Sequence, residues 1–299
     1  MSSIIASTIH RAFDTVLSPS IKHRSERTIL MIAIVSYMAH LFLILLVNQG
    51  VLDIQSKFFS NPIAAIYTPF SFILIYEVYL LIFFLPKSIS FYIAKQYEII
   101  TLIVIRRIFK DIANLELSSD WFSIKYDLQF TYDVVTSLIL FVLIFLFYKQ
   151  IRSRSHTTMD EVGMTDEKMS QFILLKKGIA VLLVPTLVIL AFVTLFSWVM
   201  VALNDYQNGL MAFSNLNAVF FDEFFTVLII VDVTLLLASF FYSDQFHKII
   251  RNSGFIISTI LIKVSFSVEG LINNALIIVA VLFGLLILLI HNQFEKLES

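Results

Sequence analysis

Four charged side chains lie inside apolar stretches of this 299-residue sequence, and together they have the chemistry of a buried charge site. Glu77 lies within FILIYEVYLLIFFLP, and Arg106, Arg107 and Lys110 lie within IITLIVIRRIFKDI. A charge near the centre of a bilayer costs roughly 2.5 to 3.5 kcal/mol on insertion scales, so such residues tend to be paired and functional. The sequence therefore predicts charge pairs inside a membrane.

Glu77 and Arg106 are the first predicted pair, because they lie at the same depth. Glu77 precedes the end of an apolar segment, Ile63 to Leu85, by 8 residues, and Arg106 follows the start of the next, Ile99 to Leu117, by 7. At about 1.5 Å per residue these counts put both side chains roughly 11 to 12 Å from the same interface. We therefore expect the two side chains to meet.

A second pair is predicted from an internal similarity of the sequence. IYEVYLLIFF matches IVDVTLLLAS, which aligns Glu77 with Asp232, and ITLIVIRRIF matches ISTILIKVSF, which aligns Arg106 with Lys263. An acid followed by a base recurs, so we expect Asp232 to pair with Lys263. The recurrence also predicts a duplication into two parallel repeats.

Further polar residues extend these positions into stripes at spacings of three and four. One predicted helix in each half carries such a stripe; the members are Arg106 and Lys110, then Arg107, Asp111 and Asn114, and in the second half Lys263, Ser267, Gly270 and Asn274. A clamp between two helices needs only one polar position, whereas a path for ions or protons needs several. Both interpretations of the charge pairs remain open at this point.

The composition of the chain indicates whether these apolar segments lie in water or in lipid. Hydrophobic residues make up 59% of the chain and charged residues 14%, with a mean hydropathy of +0.89. Such a small proportion of polar residues cannot cover the surface of a water-soluble globule of this size. The lipid bilayer is therefore the expected partner. The net charge of -1 and the lack of a dense basic block exclude nucleic acid as a partner.

The chain is expected to be an all-α integral membrane protein with eight transmembrane helices. We predict an interfacial amphipathic helix in residues 1–20, a four-span half in 21–150, a cytoplasmic linker in 151–177 and a second four-span half in 178–299. The seventh span is short, and it is expected to tilt, to run on past Glu269 and Gly270, or to re-enter the membrane. The predicted spans are Ile29 to Val47, Ile63 to Leu85, Ile99 to Leu117, Thr131 to Tyr148, Gly178 to Leu203, Val219 to Tyr242, Phe255 to Val268, and Leu271 to Ile290.

The basic residues predict the orientation. Of the 21 lysines and arginines, four fall within spans and only Lys57 and Lys125 fall in outer loops if the N-terminus is cytoplasmic. By the positive-inside rule both termini are then cytoplasmic. The cell membrane, plasma or inner, is the expected location.

Other kinds of site have little support in the sequence. With no cysteine there are no disulfides and no thiolate metal sites. No metal or cofactor is expected either, because no two histidines have helical ligand spacing; they are His10, His23, His40, His156, His247 and His291. HExxH, GxSxG and glycine-rich phosphate loops do not occur, so an enzyme is disfavoured, although a membrane enzyme of unfamiliar type stays open.

One stretch resembles a known family. IYEVYLLIFFLPKSISFYIAKQYEIITLIVI looks like the hairpin of the second and third helices of voltage-sensor domains, with an acid in the second helix and a short turn containing proline and lysine. The resemblance implies four spans with cytoplasmic ends, which each half would match. That family places an acid on its third helix and spaced arginines on its fourth. Here Arg106 is on the third span and the fourth has no basic residue before Lys149, so the resemblance extends only to the architecture.

Two hypotheses for function follow. The first is a channel-like or transporter-like protein whose charge pairs line a path for an ion or a proton. The alternative is a non-enzymatic scaffold or subunit of a membrane complex, in which partner helices or a second copy satisfy the charged faces.

Overall fold

The computed structural model describes residues 2–51, 62–112, 125–154, 166–204, 209–242 and 246–298, which are helical except for the turns between helices. These residues form one short 3-10 helix, Pro62–Ile66, and nine α-helices, and they contain no strand. The predicted all-α class is therefore confirmed for them. The α-helices are α1 Ser2–Val16, α2 Pro19–Asn48, α3 Tyr67–Phe84, α4 Ile89–Ile112, α5 Lys125–Arg154, α6 Asp166–Asn204, α7 Gly209–Tyr242, α8 Phe246–Ser265 and α9 Gly270–Glu298.

Five helical segments in these ranges are long and apolar enough to cross a membrane, namely Ala6–Asn48, Asp127–Arg152, Ser170–Leu190, Asp222–Phe241 and Gly270–Leu297. Large apolar side chains also face outward, since Val35 is 66%, Phe145 67% and Leu182 69% exposed. So much exposed apolar surface is unfavourable in water and suits lipid. The protein is a membrane protein, while the count of eight spans and the two tandem halves remain predictions.

Local signals explain where several helices begin and end. Ser18 caps α2 by accepting a hydrogen bond from the backbone N–H of Ile21 at 3.3 Å, and Pro19 occupies the first helical position. Between α8 and α9 the chain reverses, and Gly270 there has a φ of 70°, which a residue with a Cβ rarely adopts.

Helix α8 differs from the predicted seventh span. It begins at Phe246 instead of Phe255 and has 20 residues, a length of roughly 30 Å, which matches the thickness of the hydrocarbon core. The sequence HKIIRN was assigned to a loop because it is polar, but His247, Arg251 and Asn252 are buried against other helices.

Helix α4 lies at the centre of the packing. It contacts α3, α5, α8 and α9, and the remaining contacts include α5 with α9, α8 with α9, α7 with α8, α6 with α7, α2 with α3 and α1 with α6. In the core, the ring of Phe147 lies 5.1 Å from that of Tyr97 and 5.9 Å from that of Phe255. Polar side chains on α4 therefore find their partners on neighbouring helices.

Successive helices from α4 to α9 run in alternating directions. We call the end where α4 and α8 stop and α5 and α9 begin the Asn273 end. The opposite end, where α8 begins and α9 finishes, is the His291 end. If the predicted orientation is right, the Asn273 end faces outward.

Two buried polar networks around α4

The first network surrounds Asp133, near the Asn273 end. Its carboxylate is completely buried, and Oδ2 lies 3.1 Å from Nε of Arg107 on α4. Oδ1 accepts hydrogen bonds from Gln129 Nε2 at 2.8 Å and from Asn274 Nδ2 at 2.6 Å. A buried carboxylate needs such donors, because the desolvation cost of an ion in a low-dielectric interior is several kcal/mol.

The same network binds the guanidinium group of Arg107 from the other side. Nη1 donates to Asn273 Oδ1 at 2.5 Å and Nη2 donates to Asn274 Oδ1 at 2.7 Å. Asn273 in turn donates to the backbone oxygen of Ser265, the last residue of α8, at 2.5 Å. Residues of α4, α5, α8 and α9 thus meet at this site. We call Arg107, Gln129, Asp133, Asn273 and Asn274 the Asp133 network.

The second network surrounds Asp232, closer to the His291 end. Gln96 Nε2 on α4 donates to Asp232 Oδ2 at 3.1 Å, and Thr259 Oγ1 on α8 donates to Gln96 Oε1 at 2.7 Å. The hydroxyl of Tyr92, one turn before Gln96, also lies beside the Asp232 carboxylate. We call Tyr92, Gln96, Asp232 and Thr259 the Asp232 network.

The Asp232 network differs from the first in charge. Asp232 is only 7% exposed, and within the described residues no lysine, arginine or histidine forms an ion pair with it. A small cavity of about 30 Å³ adjoins the carboxylate and is lined also by Tyr92, Asn252, Leu85 and apolar side chains of α4, α7 and α8. That volume suffices for one or two water molecules.

An apolar layer separates the two networks along α4. Three apolar residues of α4, each at most 5% exposed, lie between Gln96 and Arg107; they are Ile100, Ile103 and Val104. Gln96 and Arg107 are roughly 16 Å apart along the helix axis. On the neighbouring face of α4, the hydroxyl of Tyr97 lies 2.8 Å from Ser258 Oγ on α8. The polar track along α4 is therefore interrupted at its middle.

The structure does not bring Glu77 to Arg106. The described charged side chains around Glu77 are Lys22, Glu26, Lys95 and Glu98, all at the His291 end of the bundle. Glu98 itself bonds Lys95 Nζ at 2.6 Å and the Tyr148 hydroxyl at 2.5 Å. The predicted depths were misleading because α4 begins at Ile89, ten residues before the predicted span, so depths counted from Ile99 were too small.

The structure also changes the partners of the second predicted pair. Lys263 Nζ on α8 lies 2.6 Å from Oδ1 of Asp222. Asp222 and Asp232 both lie on α7, but Asp232 accepts a hydrogen bond from Gln96 instead. Asp222 lies 10 residues earlier on α7 than Asp232, which is about 15 Å along the axis. Lys263 lies two residues before the end of α8, at the level of Asp222 on α7.

The predicted polar stripes are divided among several elements. Arg106 and Asp111 are buried on α4, while Ser267 lies exposed in the turn after α8, and Asn274 belongs to α9. The stripe of the second half is thus not on one helix, because the chain reverses at Gly270. Asn114 and the end of the predicted third span lie outside the described residues, and of Lys110 only the backbone is described.

Most of the partners in these networks had not been predicted from the sequence. Asp133 and Asp222, which lie within the predicted spans, were not predicted as partners, and Tyr92, Gln96 and Asn273 were not singled out. The spacing of Gln129 and Asp133, four residues apart, could have indicated that α5 starts before Thr131. The partners of Gln96 carried no such signal, since they are distant in the sequence.

The chain was also compared with known proteins. No protein-family model matches it, and no curated protein or solved structure is similar to it at a significant level.

Proposed function

We propose that this membrane protein conducts or transports protons, or an ion coupled to them, and that Asp232 is the residue that exchanges the proton. The observation that carries the proposal is a carboxyl group that is buried between membrane helices, where the amide of Gln96 donates to it and the hydroxyl of Tyr92 lies beside it. Ionisable groups at such positions are characteristic of proton relays in pumps and transporters.

The surroundings of Asp232 favour a proton over a larger ion. The adjoining cavity of about 30 Å³ has room for one or two waters, too few for a hydrated metal cation. Gln96 can bond either the carboxylate or the carboxylic acid, because an amide offers both donors and an acceptor. The site can therefore hold Asp232 in both protonation states.

The Asp133 network supplies a second polar station in this proposal. Between the two stations lies the apolar layer of Ile100, Ile103 and Val104, which acts as a barrier to water. A proton then crosses only when α4 or α8 moves enough to wet that layer, which corresponds to a gated or alternating path. The proposal thus places the gate in the middle of α4.

Flux measurements test the role of Asp232. Purified protein in liposomes with an internal pH dye and a valinomycin-driven potassium potential should acidify the lumen, and Asp232→Asn should reduce the rate at least tenfold. The control is Glu223→Gln, which neutralises an exposed acid on the same helix and should keep the wild-type rate. If wild-type liposomes stay tight to protons at every imposed potential, the proposal is wrong.

A scaffold or subunit of a membrane complex is the second candidate. The Asp133 network favours a structural role of this kind, because Arg107 and Asp133 join four helices. In this proposal the two charges pair within the chain and do not need a partner helix. Under this hypothesis the liposomes stay tight, and Asp232→Asn alters stability alone.

A further inference from the structure

A cluster of metal-ligating side chains lies at the His291 end, away from both polar networks. His247 is the second residue of α8, and His291 and Glu295 lie one turn apart near the end of α9. One nitrogen or oxygen atom from each of the three lies within 4.8 Å of the others. Packing of α8 against α9 has brought together histidines that are 44 positions apart in the sequence.

We propose that His247, His291 and Glu295 bind a divalent transition-metal ion of the Zn²⁺ type. Two imidazoles and one carboxylate are a ligand set that zinc uses in proteins, with a fourth position left for water. Imidazole nitrogen favours zinc, copper, nickel or iron over magnesium and calcium, which prefer oxygen ligands. The chain has no cysteine, so no thiolate competes for the ion.

The geometry needs only a small closure to bind. Bonds of about 2.0 to 2.2 Å around a tetrahedral ion place neighbouring ligand atoms roughly 3.4 Å apart. His291 Nε2 and Glu295 Oε1 are already 3.4 Å apart, and the two imidazole rings are stacked with centroids 5.1 Å apart. The His247 ligand atom lies within 4.8 Å of those of His291 and Glu295, so a shift of roughly 1.4 Å or less brings it to the spacing of a tetrahedral site.

Burial of the imidazoles strengthens the site. His291 is 2% and His247 8% exposed, so their rings are held by the surrounding helices before any ion binds. Glu295 is 29% exposed along its side chain and leaves an entry path from solvent. A preorganised site with one open side is the arrangement that a bound water or exchangeable ligand requires.

Arg251 competes with the ion for the same nitrogen. Its Nη1 donates to His291 Nε2 at 2.9 Å, and its Nε donates to Asn252 Oδ1 at 3.2 Å. A metal ion and a guanidinium group cannot share one lone pair. Binding therefore displaces Arg251 from His291, and this exchange tunes the affinity of the site.

Metal titration of the purified full chain, prepared without a polyhistidine tag and treated with chelator, tests the proposal. Wild type should bind one Zn²⁺ per chain by elemental analysis, and Co²⁺ should give visible absorption bands of a four- or five-coordinate site. His291→Gln and Glu295→Gln should each weaken binding by at least about tenfold, since even outer-sphere changes cost 10- to 100-fold. Arg251→Gln should bind Co²⁺ more tightly than wild type.

The exposed pair of His23 and Glu26 is the matched control. Their side chains are 3.6 Å apart at a spacing of three residues, and His23 is 77% exposed, so His23→Gln should leave the titration unchanged. Equal Co²⁺ affinity in wild type, His291→Gln and Glu295→Gln would overturn the proposal. Where His291→Gln does not fold, Glu295→Gln decides, because its side chain is at the edge of the site. Weaker binding by Arg251→Gln would refute the competition.

Discussion

Arg107 and Asp133 form an ion pair across α4 and α5, with Nε 3.1 Å from Oδ2, and two asparagines of α9 complete it. The acid is completely buried, whereas 27% of the arginine side chain is exposed. An ion pair in such a position contributes little net stability compared with apolar packing. Removal of either charged side chain, however, leaves the other charge uncompensated among four helices.

The double substitution at this pair should therefore cost less stability than the sum of the two single substitutions. Arg107→Gln and Asp133→Asn should each destabilise the fold by about 3 to 5 kcal/mol, the range seen when a buried pair loses one partner. The double variant should recover part of that loss, because no charge is then left without its partner. Unfolding in mixed detergent micelles, followed by circular dichroism, measures the coupling, and a value below about 0.5 kcal/mol would show that the pair does not act as a unit.

The presence of buried charges on α4 was predictable, but the identity of each pair was not. Arg106 and Arg107 are adjacent in an apolar run, and sequence alone cannot say which faces α5 and α9. A helix turns about 100° per residue, so the choice depends on the rotation of α4 against its neighbours. The structure places Arg107 beside Asp133, through contacts between residues that are 26 or more positions apart.

Helix ends account for the other differences. Apolar runs gave the position of each long helix, but α4, α5 and α7 all begin before the predicted spans, at Ile89, Lys125 and Gly209. Polar residues in those first turns were assigned to loops because hydropathy falls there. Gln129 consequently fell outside the predicted span Thr131 to Tyr148, although in the structure it donates a hydrogen bond to Asp133.

Gly284 is predicted to be intolerant of any side chain. A Cβ there would lie 1.7 Å from the Tyr97 hydroxyl and 2.8 Å from its ring carbon Cζ, and Tyr97 is completely buried. Gly284→Ala should lower stability by about 1 to 3 kcal/mol through overpacking. Adding Tyr97→Phe should restore part of it, because the shorter of the two contacts disappears. Gly178→Ala, whose Cβ would meet only Ile9 at 3.7 Å, should fold as wild type in the same thermal melts.

The predicted orientation can be tested with single cysteines, because the native chain has none. Val51→Cys and Ser267→Cys should react with an impermeant maleimide added to intact cells, since both positions are exposed and lie at the predicted outer side. Lys87→Cys and Arg152→Cys, exposed at the opposite end, should react only after lysis. Labelling with the two groups reversed would place both termini outside.

The last prediction distinguishes the observed partner of Lys263 from the expected one. Lys263 Nζ is 2.6 Å from Asp222, and both side chains are partly exposed, 27% and 35%, so solvent screens the pair and its coupling should be about 1 kcal/mol or less. Combining Lys263→Gln with Asp222→Asn should give a destabilisation smaller than the sum of the single changes. Combining Lys263→Gln with Asp232→Asn should give losses that simply add, because Asp232 bonds Gln96 on another helix. The same unfolding assay measures both cycles, and coupling of Lys263 to Asp232 instead of Asp222 would show that the two helices are in a different register from the one described here.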